Sequence, residues 1–328
     1  MNEITVLSYA KINLSIDVGG IDENGYHAVD MIMQQVDFSD YVKVGFVPAG
    51  GSRRGGNPDA SPQVKSARGK IEISLRTNRY YLPVDERNLA HKAARIMIDR
   101  YGSTQQSGRL EINIKKRIPV AAGLAGGSGN GAAVVHALNL LWGLKLSLAE
   151  IMEICSELGS DVPFSAVGQA RANRNFPAYL RRDPMAAACV RATGRGTVLE
   201  PVRPLDAWLV IAKPRLSVST PEVYRGIDDC VITRRPDNDR LQARLQEGTC
   251  GEEIYEDFVN VLEAYTLDAY PQVAKLKALM ESMGPSKVLM SGSGPTVFAV
   301  CESRKEARRL CDRLREESYE AYWMRTSR

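Results

Sequence analysis

The sequence predicts an α+β protein of two domains, on three observations. The chain has 328 residues, about twice the usual domain size. Segments alternating apolar and polar residues, at 12–18, 71–75 and 109–115, are interleaved with segments whose apolar residues recur at helical spacing. The texture then changes between 190 and 206, so the first domain is expected over 1–190 and the second over 205–328.

Composition narrows the class. Apolar residues make up 44% and charged residues 25%, ordinary for a globular chain and wrong for a disordered one. Lys and Arg total 43 against 39 Asp and Glu, and a net charge of +4 is too small to argue for nucleic acid. No apolar run approaches the roughly 20 residues of a membrane helix, and Met1-Asn2-Glu3 does not open a signal peptide. Cys155, Cys189, Cys230, Cys250, Cys301 and Cys311 form no C-x-x-C pair. Reduced thiols and a cytoplasmic location are therefore expected, with no membrane partner and no built-in zinc site.

The elements follow in order. Ile12, Leu14, Ile16 and Val18 alternate with Asn13, Ser15 and Asp17, the period of a half-buried strand. Asn24-Gly25 is a turn dipeptide leading to Val29, Ile32 and Val36, which makes a hairpin of the first forty residues. Residues 48–70 are dense in Gly, Ser, Arg and Pro and read as a long exposed loop. A strand at Ile71–Leu75 precedes a helix from Leu89, with Ala93, Ile96 and Met97 on one face. After a strand over 109–115 comes a glycine-rich segment, then a helix over Ala132–Leu141. Ser147-Leu148-Ala149-Glu150 is a capping box, and Gly159 is a natural stop. Residues 169–187, with four arginines, two prolines, Asn173 and Asn175, break pattern and read as a basic surface loop. The second half predicts a strand at Trp208–Ala212, helices near 219–227, 252–281 and 303–316, and a glycine turn at 291–295.

Five places carry chemistry. Gly123, Gly126, Gly127, Gly129 and Gly131 bring backbone amides close to a ligand ahead of a helix, a receptor for phosphate oxygens. A glycine-rich turn used only for packing is the bland alternative, and no Walker or dinucleotide motif is present. Ser128 can offer a hydroxyl to a phosphate or its Mg²⁺. Lys11, within an apolar strand, either meets developing negative charge or points to water. Asp161, after Gly159-Ser160, is either a general base or a turn residue. Tyr26 and His27 can stack and hydrogen-bond. Ser291 to Thr296 is a second amide-rich turn, either a plain hairpin or the opposite wall of a cleft.

Together these segments resemble the GHMP superfamily of small-molecule kinases, over nearly the whole chain. The resemblance is carried by Ser8 to Leu14, Gly25-Tyr26-His27, Pro83 to Leu89, Pro119 to Gly129, Gly159 to Phe164 and Ser291 to Thr296. Lys213-Pro214, Ser217 to Tyr224 and Val259 to Glu263 extend it. The Lys11, Tyr26-His27 and Gly159–Phe164 segments point to the branch acting on a cytidyl diphosphate ester of methylerythritol.

The resemblance implies an N-terminal domain with a left-handed βαβ crossover and a ferredoxin-like C-terminal domain. It also implies Mg²⁺-ATP as co-substrate and transfer of phosphate to the 2-hydroxyl of that ester. Lys11 and Asp161 would be catalytic. Pro119, Val120, Ala121, Ala122, Gly123, Leu124, Ala125, Gly126, Gly127, Ser128 and Gly129 would hold ATP, with Asn88 near the adenosine and Ser128 near the metal. Asn13, Tyr26 and His27 would hold the cytidyl end, in a monomer or weak homodimer.

Gly129-Asn130-Gly131 departs from the family run, and residues 49–69 and 169–187 look like insertions. A homoserine, mevalonate or sugar kinase is disfavoured by Tyr26-His27. A non-catalytic ligand sensor of this fold is disfavoured by the intact Lys11 and Asp161.

Overall fold

The first forty-eight residues build one long ribbon, because strand-forming residues continue on both sides of the Gly25 turn. β1 (Glu3–Ile21) pairs antiparallel with β2 (His27–Pro48), and the register slips between Tyr9 and Lys11, Asn13 and Ser15, and Val18 and Ile21. Such bulges bend and twist a ribbon too long to stay flat. In this computed structural model the described residues are 3–21, 23, 25–49, 70–249 and 251–328. Most of the expected loop and insertion between 48 and 70, and Asn24 of the expected turn, lie outside them.

β2 is the spine of a six-stranded sheet. Its order is β3 (Ile71–Thr77), β4 (Gly108–Lys115), β2, β5 (Cys189–Gly194) and β6 (Val198–Pro201), with β1 also on β2. β3 and β4 are parallel, joined through α1 (Leu89–Tyr101), as a crossover unit requires. α2 (Gly126–Leu141) is buried along almost its whole length, which its apolar circumference demands. α3 (Leu148–Ser156) starts at the expected capping box of Ser147 and Glu150 but ends three residues before Gly159. α4 (Val162–Ala172) and the short α5 (Ala178–Arg181) complete this layer.

The 169–187 segment is not the basic surface loop its composition suggests. It finishes α4 and forms α5, with Gln169, Asn173, Phe176 and Leu180 buried. Asn173 accepts from the Leu7 amide at 2.8 Å and donates to the Leu7 carbonyl at 3.1 Å, completing the open edge of β1.

The six-stranded sheet runs to Pro201, past residue 190, and the second sheet begins at Trp208. That sheet has the order β10 (Glu320–Arg325), β7 (Trp208–Lys213), β9 (Val297–Cys301), β8 (Lys287–Met290), all antiparallel. α10 (Pro271–Ser282) precedes β8 and α11 (Arg304–Glu316) precedes β10, giving the ferredoxin-like β-α-β-β-α-β arrangement. α6 (Thr220–Gly226), α7 (Asn238–Glu247), α8 (Glu252–Tyr255) and α9 (Glu263–Ala269) occupy the long connection after β7. The expected helix over 252–281 is thus three helices. Residues 256–262 leave the helix because Val259 and Val261 pair through their backbones with Ile16 of β1, at 2.9 and 3.1 Å.

That pairing has a second consequence. β1 is not half-buried: Lys11, Asn13 and Ser15 lie on the face expected to meet water, yet all three are buried. The C-terminal half covers them, with Ser15 donating to Asn238 at 2.5 Å. Among the described residues no helix is long and apolar enough to cross a membrane, and the described cysteines are free thiols.

One buried group makes stability depend on pH. His136 of α2 is fully buried, donates from Nε2 to the Ala166 carbonyl at 3.0 Å, and packs on Phe176 with ring centroids 4.8 Å apart. Burial pushes its pKa down from 6.5 to about 4. The unfolded chain therefore takes up a proton that the folded chain refuses, so stability is full above pH 6.5 and falls towards pH 4. A His136→Gln variant should remove roughly 2 kcal/mol of that decline, read from urea unfolding midpoints at pH 7 and pH 4.5. Parallel pH profiles for the two proteins would refute the assignment.

Candidate active site

The glycine-rich segment forms differently from its sequence reading, and the difference matters chemically. α2 begins at Gly126, not Ala132, so Gly126, Gly127, Gly129 and Gly131 are its first residues rather than the loop before it. Their small size serves packing as well as binding. A Cβ on Gly129 would stand 2.5 Å from Ser8 Oγ, so glycine is what lets α2 lie against β1. Gly126 is also enclosed, with Ile118 Cγ2 and Lys116 Nζ each 3.0 Å from the place of a Cβ. Gly127 is exposed and open there, with Leu89 Cδ1 nearest at 3.9 Å.

Ahead of the helix, Ala121, Gly123 and Ala125 all take the left-handed conformation, with φ of 50°, 69° and 54°. Three such residues within five fold the chain tightly just ahead of the helix start. Ala125 is the N-cap residue and provides no side-chain cap. The N–H groups of the first turn and the positive end of the helix dipole are thus left to an anion. The Ser128 hydroxyl has no hydrogen-bond partner among the described residues and sits in the same turn.

The loop is held from below by a buried cluster that sequence reasoning missed. Asp40 of β2 has no solvent exposure. It accepts from Lys116 Nζ, from the amides of Arg117 and Ile118 at 2.6 and 2.9 Å, and from Asn130 Nδ2 at 3.0 Å. Asn130 also donates to Ser8 Oγ at 3.0 Å. The polar residue noted at position 130 is therefore a structural tie between α2, β1 and β2. In sequence Asp40 is one more polar residue in an alternating strand, and nothing local marks it.

Lys11 and Asp161 come together across 150 residues of chain. Lys11 Nζ lies 3.5 Å from Asp161 Oδ2 and 2.6 Å from Asn13 Oδ1. Lys11 is buried and does not point to water, while Asp161 is partly exposed at the N-terminus of α4. Asp161 makes no capping bond with its side chain, so the carboxylate is free of the role a turn residue would have. Asn13, expected at the cytidyl end, is fully buried; its Oδ1 accepts from Lys11 Nζ and its Nδ2 lies 3.4 Å from Met31 Sδ. The backbone amide of Lys11 donates to Leu124 at 3.2 Å, which joins the ion pair to the glycine loop.

The 291–296 turn closes the other side. Ser291 Oγ donates to the Gly123 carbonyl at 3.1 Å. Asn260 donates to the carbonyls of Met290 and Gly292, both at 2.8 Å, and so fastens this turn to the segment paired with β1. The turn is thus the opposite wall rather than a plain hairpin. Asn88 caps α1, accepting from Ala90 at 3.0 Å and donating to Pro83 at 2.9 Å.

Tyr26 and His27 stand at the start of β2. The Tyr26 ring is 53% exposed and the Arg195 guanidinium lies over it, 3.8 Å from the centroid. His27 Nδ1 is 3.1 Å from the Gly19 carbonyl, and its Nε2 is 3.5 Å from Asp228. Its ring is 5.8 Å from that of Tyr224. Burial pushes the Tyr224 hydroxyl up, and the nearby Asp161 charge pushes it further. Tyr224 therefore links the His27 end of the site to Asp161.

An uncapped glycine-rich helix start, a Lys–Asp pair and a facing glycine turn on a two-domain α+β frame are the parts a small-molecule phosphotransferase requires. Comparison with known proteins supports the class and narrows it. Residues 88–169 match the GHMP kinases N terminal domain and residues 241–320 the GHMP kinases C terminal domain. A 4-diphosphocytidyl-2-C-methyl-D-erythritol kinase of Exiguobacterium sibiricum is 40% identical over 98% of this chain and 97% of its own. One of Limosilactobacillus fermentum is 37% identical over 97% and 98%. A crystal structure of a 4-(cytidine 5'-diphospho)-2C-methyl-D-erythritol kinase superposes with a TM-score of 0.72 at 26% identity, covering 99% of this chain and 100% of that one. A homoserine kinase from Cytophaga hutchinsonii, 17% identical with a TM-score of 0.64 over 100% and 95%, shares the fold. The chain belongs to the GHMP kinase family, among its 4-diphosphocytidyl-2-C-methyl-D-erythritol kinases. It is an ATP-dependent phosphotransferase.

The two adjacent glycines separate binding from packing. Gly127→Val places methyl groups over the first-turn amides without meeting neighbours, so KM for ATP should rise at least about ten-fold with the melting temperature unchanged. Gly126→Val should lower the melting temperature as well, because Ile118 and Lys116 must move. Unaltered ATP affinity in Gly127→Val would mean that this helix start is not the phosphate receptor.

Proposed function

We propose that the protein transfers the γ-phosphoryl group of ATP to the tertiary 2-hydroxyl of 4-diphosphocytidyl-2-C-methyl-D-erythritol. The observation that carries this reading is the 3.5 Å Lys11–Asp161 pair, tied to the glycine loop through the Lys11 amide. It joins an acceptor for a hydroxyl proton and a cation for phosphoryl charge to the place where a triphosphate would lie. A tertiary alcohol is a poor nucleophile near neutral pH, so its proton must leave as the bond to phosphorus forms. Asp161, partly exposed and without a capping bond, takes that proton. Lys11, fixed by Asn13, meets the negative charge spread over the transferring oxygens.

Magnesium fits as a partner of the nucleotide rather than a resident of the protein. Among the described residues no group of three His, Cys, Asp or Glu side chains is placed to hold a metal ion. Mg²⁺ takes phosphate oxygens and waters with only one or two protein ligands, and the Ser128 hydroxyl is the oxygen this chain offers beside the helix start. When bound, the ion neutralises phosphate charge.

Tyr26 and His27 supply the substrate end. The exposed ring is a surface for a pyrimidine, and stacking of a base on an aromatic ring contributes about 1–3 kcal/mol. His27, held by Gly19 and Asp228, keeps one orientation beside it.

A coupled ADP-release assay tests the reading with the cytidyl compound, homoserine, mevalonate and galactose. Only the cytidyl compound should turn over efficiently. Turnover of another alcohol with the cytidyl compound inert would overturn the assignment. Asp161→Asn preserves shape and removes basicity, so kcat should fall by about 10²–10⁴ with ATP binding retained. A variant keeping more than about a tenth of kcat would show that the base lies elsewhere. Tyr26→Ala should raise KM for the cytidyl compound and leave KM for ATP unchanged, the mark of lost ground-state binding.

A further inference from the structure

The β5–β6 hairpin carries a cation beside Tyr26, at the turn of the β1–β2 ribbon, that has no carboxylate partner among the described residues. Arg191 is bidentate to Asp30 at 2.9 and 2.6 Å and also bonds Asp239 at 2.6 Å. Arg235 pairs with Asp17 at 2.5 Å. Both arginines are balanced by carboxylates, whereas Arg117, towards the other end of β2, has none among the described residues and lies 5.4 Å from the Phe38 ring centroid. Arg195 is exposed, and no carboxylate lies within ion-pair distance of it among the described residues. Its guanidinium is nonetheless localised, 3.8 Å from the centroid of the Tyr26 ring.

The hairpin builds that placement. Gly194 and Gly196 on either side of Arg195 have φ of 66° and 87°, and the Gly196 amide closes the turn on Thr193 at 3.0 Å. L-residues rarely adopt such angles, so the two glycines set the tight tip from which Arg195 leaves. A Cβ on Gly196 would be 2.9 Å from Met31 Cε, so the tip also lies close on β2. A guanidinium resting on an aromatic face keeps its in-plane N–H donors, because the cation–π contact uses its flat side.

Resting on the proposed substrate, we infer that Arg195 is a specificity-determining residue that binds the diphosphate of a pyrimidine nucleotide whose base stacks at Tyr26. The ring orients the guanidinium, and its unengaged N–H groups meet phosphate oxygens on the far side of the ribose from the base. Fork-like N–H pairs suit phosphate geometry, and a charge-assisted bond is about twice as strong as a neutral one. A neutral alcohol such as a sugar has nothing to offer this group, so Arg195 discriminates by charge where Tyr26 discriminates by shape.

The test separates phosphate recognition from stacking by using CDP and cytidine as competitive inhibitors of the full-length enzyme. Wild type should bind CDP more tightly than cytidine. Arg195→Ala should weaken CDP about ten-fold or more while leaving cytidine within about two-fold, and should raise KM for the cytidyl substrate to match. kcat and KM for ATP should hold. Arg195→Lys, which keeps the charge and loses the fork, should recover part of the CDP affinity. An equal loss of CDP and cytidine binding would make Arg195 a packing partner of Tyr26 and overturn the inference, as would no loss of either. If wild type phosphorylates the cytidyl compound and Arg195→Ala behaves the same, the inference alone fails. If wild type binds neither inhibitor and uses another alcohol, the substrate reading fails with it.

Discussion

The buried carboxylate of Asp40 is the constraint on which the catalytic half depends. An ionised group without solvent costs several kcal/mol unless its partners are complete. Asp40 meets that demand with Lys116, two backbone amides and Asn130, and these partners come from different elements. Satisfying one carboxylate therefore fixes β2, the chain leaving β4, and the first turns of α2 relative to each other. The uncapped start of α2 is held in place from its underside by this charge, through Asn130.

The same economy governs the joint between the two halves. β1 is buried on both faces because Ile16 pairs with the Val259–Val261 segment. Asn260, within that segment, holds the carbonyls of Met290 and Gly292 and so aims the glycine turn at Gly123. A phosphoryl-transfer site needs walls that exclude water and hold reactants in line. Here one wall follows β4 of the first sheet, the other joins β8 to β9 of the second, and Lys11 on β1 is tied to the first through Leu124.

Charge is distributed to match. The helix start is uncapped, and Lys11 is buried beside Asp161. Around the ribbon Arg191 and Arg235 are paired with carboxylates, while Arg117 and Arg195 lie against aromatic rings. Asn13, two residues from Lys11 on β1, accepts from the Lys11 ammonium, so the two side chains are joined.

The sequence by itself determined what depends on local geometry. The alternation of β1, the capping box of α3, the two-domain fold seen through family resemblance, and the family-like segments around Lys11, Asp161 and the glycines were all legible there. These signals lie within a few residues of one another or in motifs that match a family. Three things were decided only by tertiary structure. The polar face of β1 is buried because another domain covers it, which no periodicity reveals. Residues 169–187 look like a basic loop, yet Asn173 and Phe176 are drawn inward by the open edge of β1 and by His136. The glycines begin the helix instead of preceding it, because packing against Ser8 and Leu89 compensates for their poor helix propensity. In each case the deciding partner is distant in sequence, and a free energy that depends on such a partner leaves no mark on the residues nearby.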